Sequence, residues 1–386
     1  YFSKKLHCNE SNYFIFELKQ KLMIVQDVIM HLEALAPLAY AEEFDNVGLL
    51  VGNKTTEVTG VLVTLDTLEA VVDEAIETNC NMIVSFHPII FKGVKSITGN
   101  SYVERVIIKA IEHKIAIYAI HTALDNAFEG ANAGLCELLD LKNKAILIPQ
   151  KGTIKQLTTY VPEKNAENVR LALFKSGAGS LGNYSDCSFN STGIGTVKGN
   201  EQSNPVLGKK HSFQEVSEIK ITVCFEKHLE NTILKTLFSS HPYEEVAYEV
   251  LTLDNKNQHI GMGMLGELEQ PMEETAFLNY IKERLNCSVI RHSKFLDRPI
   301  QNVAVLGGSG SFAIEAAKTA GADAFITSDL KYHDFFSAEN KLMLADIGHY
   351  ESEAHIKNIL VAHLKKKITN FAVLLSKTNT NPVKYK

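Results

Sequence analysis

Apolar residues fall along this chain in two alternating rhythms. Short unbroken runs at 60–65, 82–84, 115–120, 303–306, 324–327 and 341–345 read as buried strands. Between them, segments 24–35, 68–78, 103–113 and 312–320 repeat apolar residues at three- and four-residue spacing and read as helices. Strands alternating with helices predict βαβ units and a largely parallel sheet. In such sheets the chemistry gathers in the loops after the C-terminal strand ends. Those loops carry the chain's most suggestive polar residues: Phe86-His87-Pro88, His121 with Asp125, Asp329 with His333, and His349 with Glu353.

The rhythm changes near Pro149-Gln150-Lys151-Gly152. From there to about residue 266 the pattern is a strand at 157–161, a helix at 165–176 stopped by Gly177, and a Gly/Ser/Asn-rich loop leading into a strand. A strand at 219–225, a helix at 229–238 and a strand after His241-Pro242-Tyr243-Glu244-Glu245 complete it. That order is the split βαβ pattern of a ferredoxin-like unit. The predicted organisation is therefore an extension at 1–22, a first half at 23–150, an inserted α+β domain at 151–266, a second half at 267–376 and a polar tail at 377–386.

Composition narrows the function classes. Hydrophobic residues make up 45% and charged residues 22% of 386, the balance of a globular chain of two or three domains. The formal charge is −6, with no basic run interleaved with aromatics, so nucleic acid is not expected. No apolar run approaches the ~20 residues of a membrane span. Six scattered cysteines without a C-x-x-C pair form neither a disulfide framework nor a thiolate zinc site, which points to the reducing cytoplasm.

Two stretches echo one another. Residues 74–88 and 315–334 each run helix, turn, apolar strand and polar end, and each is followed by a helix and another strand. A repeated βαβ unit would turn its polar ends toward one crevice. His349 and Glu353, four apart, share a helix face, which also suits an ordinary helix start. Joined by His87 and Asp125, they make two imidazoles and two carboxylates, a donor set for Zn, Fe, Mn or Ni, as one ion or a bridged pair. His121, Asp329 and His333 fall near the same crevice, as ligands or their partners. A rival signal is Gly308-Ser309-Gly310 before a helix, with Asp329 about 20 residues on, a weak dinucleotide fingerprint or a phosphate cradle. His241 with Glu244 and Glu245 reads as a turn.

Taken in order, FDNVGLLVG (44–52), SFHPIIFKGVKSIT (85–98), YAIHTALDNAFEGAN (118–132), GGSGS (307–311), ITSDLKYHD (326–334) and GHYESE (348–353) resemble the NIF-three-like family of dinuclear-metal proteins, homologues of GTP cyclohydrolase I type 2. The middle segment, with GNYSDCSF (182–189) and HPYEEVAYEV (241–250), resembles the insertion of the longer members, which is similar to PII and CutA proteins. The resemblance implies an α/β fold of two similar βαβ-type halves forming one metal-site domain, with a ferredoxin-like insert. It implies one or two divalent ions on His87, Asp125, His349 and Glu353, a homohexamer, and a metal-dependent hydrolase acting on a nucleotide-like substrate. His121 and His333 are then the candidates to move protons. Many members carry two adjacent histidines before the proline, whereas Phe86 stands in the first place here, so one ligand of the second ion is missing. A metal-binding regulator or scaffold with a ligand-sensing insert is the alternative.

Overall fold

The computed structural model describes residues 22–180, 182–369 and 371–386; the extension expected at 1–22 lies outside them up to residue 21. The described residues are mixed α/β and build three sheets.

In the first sheet, Val61–Thr64, Met82–Ser85 and Ala116–Ala119 run parallel in neighbouring positions, and Gly48–Val51 pairs antiparallel at the Ala116–Ala119 edge. Strict side-chain alternation gives this sheet two cores, as expected where both faces are covered. Val61, Val63, Met82, Val84 and Tyr118 enter one core, under helices Val25–Leu35 and Ile356–Lys367. Leu62, Ile83 and Ile117 enter the other, under helices Glu69–Glu77 and Tyr102–Glu112.

The second sheet has a parallel centre, Ile300–Ser309, Ala324–Ser328 and Met343–Asp346. Around it, Gly261–Met272, Lys142–Pro149 and Arg291–His292 are added antiparallel. The two halves exchange elements. The sequence places the last strand, about 371–375, in the second half, but Val373–Leu375 pairs parallel with Val61–Thr64 in the first sheet. Conversely, helix Ala131–Leu138 packs Ala133, Leu135 and Cys136 against the second sheet. The halves are therefore laced together, and the C-terminal ends of both parallel centres meet.

The third sheet is wholly antiparallel. Ile154–Pro162, Phe189–Lys198, Phe213–Glu226 and Tyr248–Leu253 lie in the order second, third, first, fourth. Helices Glu163–Lys175 and Glu230–Ser240 pack on one face, over Leu157, Val161, Ile221, Val223 and Phe225. Its flanks return to one place on the second sheet, where Pro149 opposes Gly261 and Gln150 N–H donates to the Ile260 carbonyl at 2.8 Å. Among the described residues no helix is long and apolar enough to cross a membrane.

Candidate metal centre

The strand ends supply the side chains. His87 follows Met82–Ser85, its N–H held by the Leu65 carbonyl at 2.9 Å. His121 opens the helix His121–Asn126 after Ala116–Ala119, its N–H held by the Phe86 carbonyl at 2.9 Å. From the second sheet, Asp329 follows Ala324–Ser328, and His349 opens the five-residue helix His349–Glu353 after Met343–Asp346.

His87, His349 and Glu353 offer ligand atoms that all lie within 4.8 Å of one another. Glu353 Oε2 is 3.2 Å from His87 Nε2 and 3.1 Å from His349 Nε2. That oxygen is buried, and the opposite charges of the carboxylate and the two rings hold the three groups together. Each imidazole is oriented from behind. His87 Nδ1 donates to Asp66 Oδ1 at 2.8 Å and His349 Nδ1 to Asp329 Oδ2 at 2.7 Å, leaving Nε2 forward in both. His121 Nδ1 likewise donates to Asp45 Oδ1 at 2.9 Å, and Thr122 fixes that carboxylate through N–H and hydroxyl at 3.1 and 2.5 Å. An imidazole tied by a carboxylate at one nitrogen is the arrangement that holds a metal-ligating histidine in its tautomer and direction. It occurs here three times.

Burial alone would discharge His87, but hydrogen bonding to Asp66 and the charge of Glu353 outweigh it and hold the imidazole up at about 10. His349 is held at about 9 by Glu353 and Asp329, again against burial. Burial would raise Glu353, yet the two imidazoles bring its carboxyl down to about 2. Asp125 goes the other way: burial and the negative Glu353 push it well above the usual carboxylate range.

Asp125 is brought to the same place without joining the tight triad. It lines a cavity of about 250 Å³ with His121, His349, Glu353, Phe44 and Phe312. Its Oδ1 is buried and has no hydrogen-bond partner among the described residues. Phe86 is fully buried, its ring 4.9 Å from that of His87 and 5.4 Å from that of His121, centroid to centroid. His333 does not reach the cavity; it stands exposed on the turn Tyr332–Ala338, its ring against Tyr332 and Phe336.

The glycine-rich turn serves the carboxylate rather than a phosphate. Gly307 N–H donates to Asn132 Oδ1 at 3.0 Å and Gly308 N–H to Ser352 Oγ at 2.9 Å, so these amides are occupied. Both glycines end the strand Ile300–Ser309, the helix that follows at Ile314–Thr319 is only six residues long, and Asp329 is taken by His349. Gly308 has φ +69°, and a Cβ there would lie 2.5 Å from Glu353 Oε1. The site thus needs glycine for close approach. In the insert, His241 is buried, contacts the Tyr160 carbonyl through Nε2 and accepts Tyr243 N–H at Nδ1, which is the expected turn.

Neither Asp66 nor Asp45 stood out in the sequence as a site residue; Asp45 entered only within the motif at 44–52. The available signal was position: Asp66 follows a parallel strand as His87 and His121 do.

Residues 23–382 match the profile of the Duf34/NIF3 (NGG1p interacting factor 3) family. A Bacillus subtilis protein named GTP cyclohydrolase 1 type 2 homolog is 36% identical over 365 residues, covering 92% of this chain and 97% of that one. A crystal structure of a Bacillus cereus protein related to NIF3 superposes with a TM-score of 0.81 at 35% identity, over 95% of this chain and all of the other. A Staphylococcus aureus protein structure gives 0.75 at 32% identity, over 95% and 99%.

Proposed function

Because the chain belongs to the Duf34/NIF3 family, we propose that it is a divalent-metal protein and a metal-dependent hydrolase acting on a nucleotide-like substrate. The observation that carries this reading is the convergence of His87, His349 and Glu353, with each imidazole tied at Nδ1 by a carboxylate. Two imidazoles and a carboxylate suit Zn, Fe, Mn or Ni. The unpartnered Asp125 Oδ1, on the wall shared with His121, fits a second, weaker position that Phe86 leaves one ligand short.

His87, His349 and Glu353 would hold the ion, which would supply Lewis acidity toward a substrate oxygen or a water. The chain's own residues do the rest. Asp66 and Asp329 keep two Nε2 atoms forward, and Gly308 lets Glu353 approach. Phe44 and Phe312 present exposed rings beside the cavity, suited to the face of a planar heterocycle. His121, backed by Asp45, is the group in place to move a proton. His333 is not placed for that role. GTP is the substrate to try first, with opening of its cyclic C–N bonds, because relatives carry the GTP cyclohydrolase 1 type 2 homolog name.

Assembly as a homohexamer in the cytoplasm, with the insert acting as a PII/CutA-like module, belongs to the same reading. The insert's strand and helix order supports the ferredoxin-like part of it. A second reading, a metal-binding regulator whose insert senses a ligand, is favoured by one feature. A cavity of about 620 Å³ lies against the insert's sheet, lined by Ile194, Val197, Val216, Tyr160 and Tyr243.

Elemental analysis of the purified protein beside His349→Ala is the first test. One to two equivalents of metal per chain, lost in the variant, is the expected result; no metal taken up even on titration sinks the metal-centre reading. GTP turnover abolished by chelation then separates the hydrolase from the regulator.

A further inference from the structure

The segment after the last strand, expected only as a polar tail, is tied down across the first sheet and reaches the centre. Ser376 N–H donates to the Val63 carbonyl at 2.8 Å, extending the pairing of Val373–Leu375. Glu74, on helix Glu69–Glu77, then accepts from the Ser376 hydroxyl, Lys377 N–H, Thr378 N–H and the Thr378 hydroxyl at 2.6–3.2 Å. Two residues on, Thr380 is buried and its hydroxyl donates to Asp66 Oδ2 at 2.6 Å. The other oxygen of that carboxylate, Oδ1, takes the proton of His87 Nδ1 at 2.8 Å. Next, Asn381 Nδ2 donates to Glu351 Oε1 at 3.2 Å, on the helix that carries His349 and Glu353.

We propose that Thr380 is a positioning residue for the metal centre: its hydroxyl fixes the rotation of the Asp66 carboxylate, and Asp66 in turn aims His87 Nε2 at Glu353 and His349. The proposal rests on the metal-centre reading above. A carboxylate bound at one oxygen by an imidazole is free to swing about its Cβ–Cγ bond; a second donor at the other oxygen removes that freedom. The clamp at Glu74 delivers the threonine to this point, from a stretch some 300 residues away in sequence. Outer partners of ligating histidines are worth roughly 10- to 100-fold in metal affinity. Thr380 stands one bond further out, so the lower end, about 10-fold, is expected.

The test is titration of the full chain, stripped of metal, with Zn²⁺ against a chromophoric chelator, with melting curves of each metal-free form. Thr380→Val keeps the shape and removes the donor; Thr380→Ser restores it; Thr378→Val loosens the Glu74 clamp but leaves Asp66 alone. The expected result is about 10-fold weaker Zn²⁺ binding at unchanged stoichiometry in Thr380→Val and near wild-type binding in Thr380→Ser and Thr378→Val. Wild-type affinity in Thr380→Val overturns the proposal while leaving the metal centre standing. So does an equal loss in Thr378→Val, which would mark a general effect of anchoring the segment. If Thr380→Val does not fold, Thr380→Ser beside Thr380→Ala decides, with equal affinities counting against the proposal. A wild-type chain that binds no Zn²⁺ removes the metal centre and this inference together.

Discussion

At the scale of the residue, the centre is a set of opposed charges held in a small space. In the metal-free protein His87 and His349 titrate at about 10 and 9, above the ordinary 6.5, and Glu353 at about 2, below 4.5. The signs follow by linkage. The raised histidines stabilise the fold fully below pH 6.5, and that contribution is lost as pH climbs through 9 and 10. The depressed Glu353 contributes above pH 4.5 and is lost as pH falls through 2. Melting temperature of the metal-free protein should therefore fall between pH 6.5 and 10, and Glu353→Gln should flatten that fall. An ion must displace the imidazole protons, so metal uptake should release protons and its apparent affinity should rise with pH, which calorimetry in buffers of different ionisation enthalpy measures. Phe86 belongs to this scale too. It is packed among Tyr118, Ile120 and Ala123 in the first core, so Phe86→Ala should cost about 3–5 kcal/mol in denaturant unfolding.

At the scale of the element, the strand ends set the geometry, and one glycine shows how tightly. Gly308 combines a left-handed φ with the approach of Glu353, whereas Gly321 has φ +76° and open space, with nothing within 4 Å of where a Cβ would stand. Alanine at either should cost about 1–2 kcal/mol of backbone strain, read in unfolding curves. Only Gly308→Ala should also weaken metal binding, because only there does the new methyl meet the carboxylate. Equal metal affinity in the two variants would show that Glu353 needs no such clearance. The same logic explains the false fingerprint. Gly308-Ser309-Gly310 has dinucleotide spacing, but its glycines make room for Glu353 and for Thr327, whose Oγ1 would sit 2.0 Å from a Cβ on Gly310. Periodicity found the helices at 24–35, 68–78 and 103–113 and most of the central strands within a residue or two. It passed over Ala131–Leu138, Lys142–Pro149, Gly261–Met272 and Ile356–Lys367. The strand Lys142–Pro149 begins with Lys142, Asn143 and Lys144, mostly exposed, and Gly261–Met272 carries three glycines, so neither reads as an apolar run.

At the scale of the whole molecule, the insert enters and leaves between two paired strands, at Pro149 and Gly261. It also touches the first half: Tyr40 Oη donates to Glu226 Oε2 at 2.7 Å, the Tyr40 ring meets His228 edge-on at 5.6 Å, and the Phe128 ring meets His259 edge-on at 5.7 Å. Replacing residues 151–259 by a short turn should leave a folded core that binds metal with wild-type stoichiometry. Loss of metal from a chain that still melts cooperatively would show that the insert helps build the centre.

The primary structure carries the alternation of strands and helices, the split βαβ order of the insert, and the residue types at each strand end. These are local properties, written in periods of two and 3.6 residues and in turn chemistry. It also determined family membership, because six short motifs occur in one order. Which polar ends meet follows only from the packing of the folded chain. His87 and Glu353 are 266 positions apart, and Thr380 reaches Asp66 across 314. Nothing in the local pattern distinguishes Asp66, which orients His87, from Asp125, which faces the cavity unpaired, or His121, backed by Asp45, from His333, which stands exposed on a turn. The physical reason is that orientation and burial come from the packing of two sheets laced by exchanged elements, and that packing is fixed by all their side chains together.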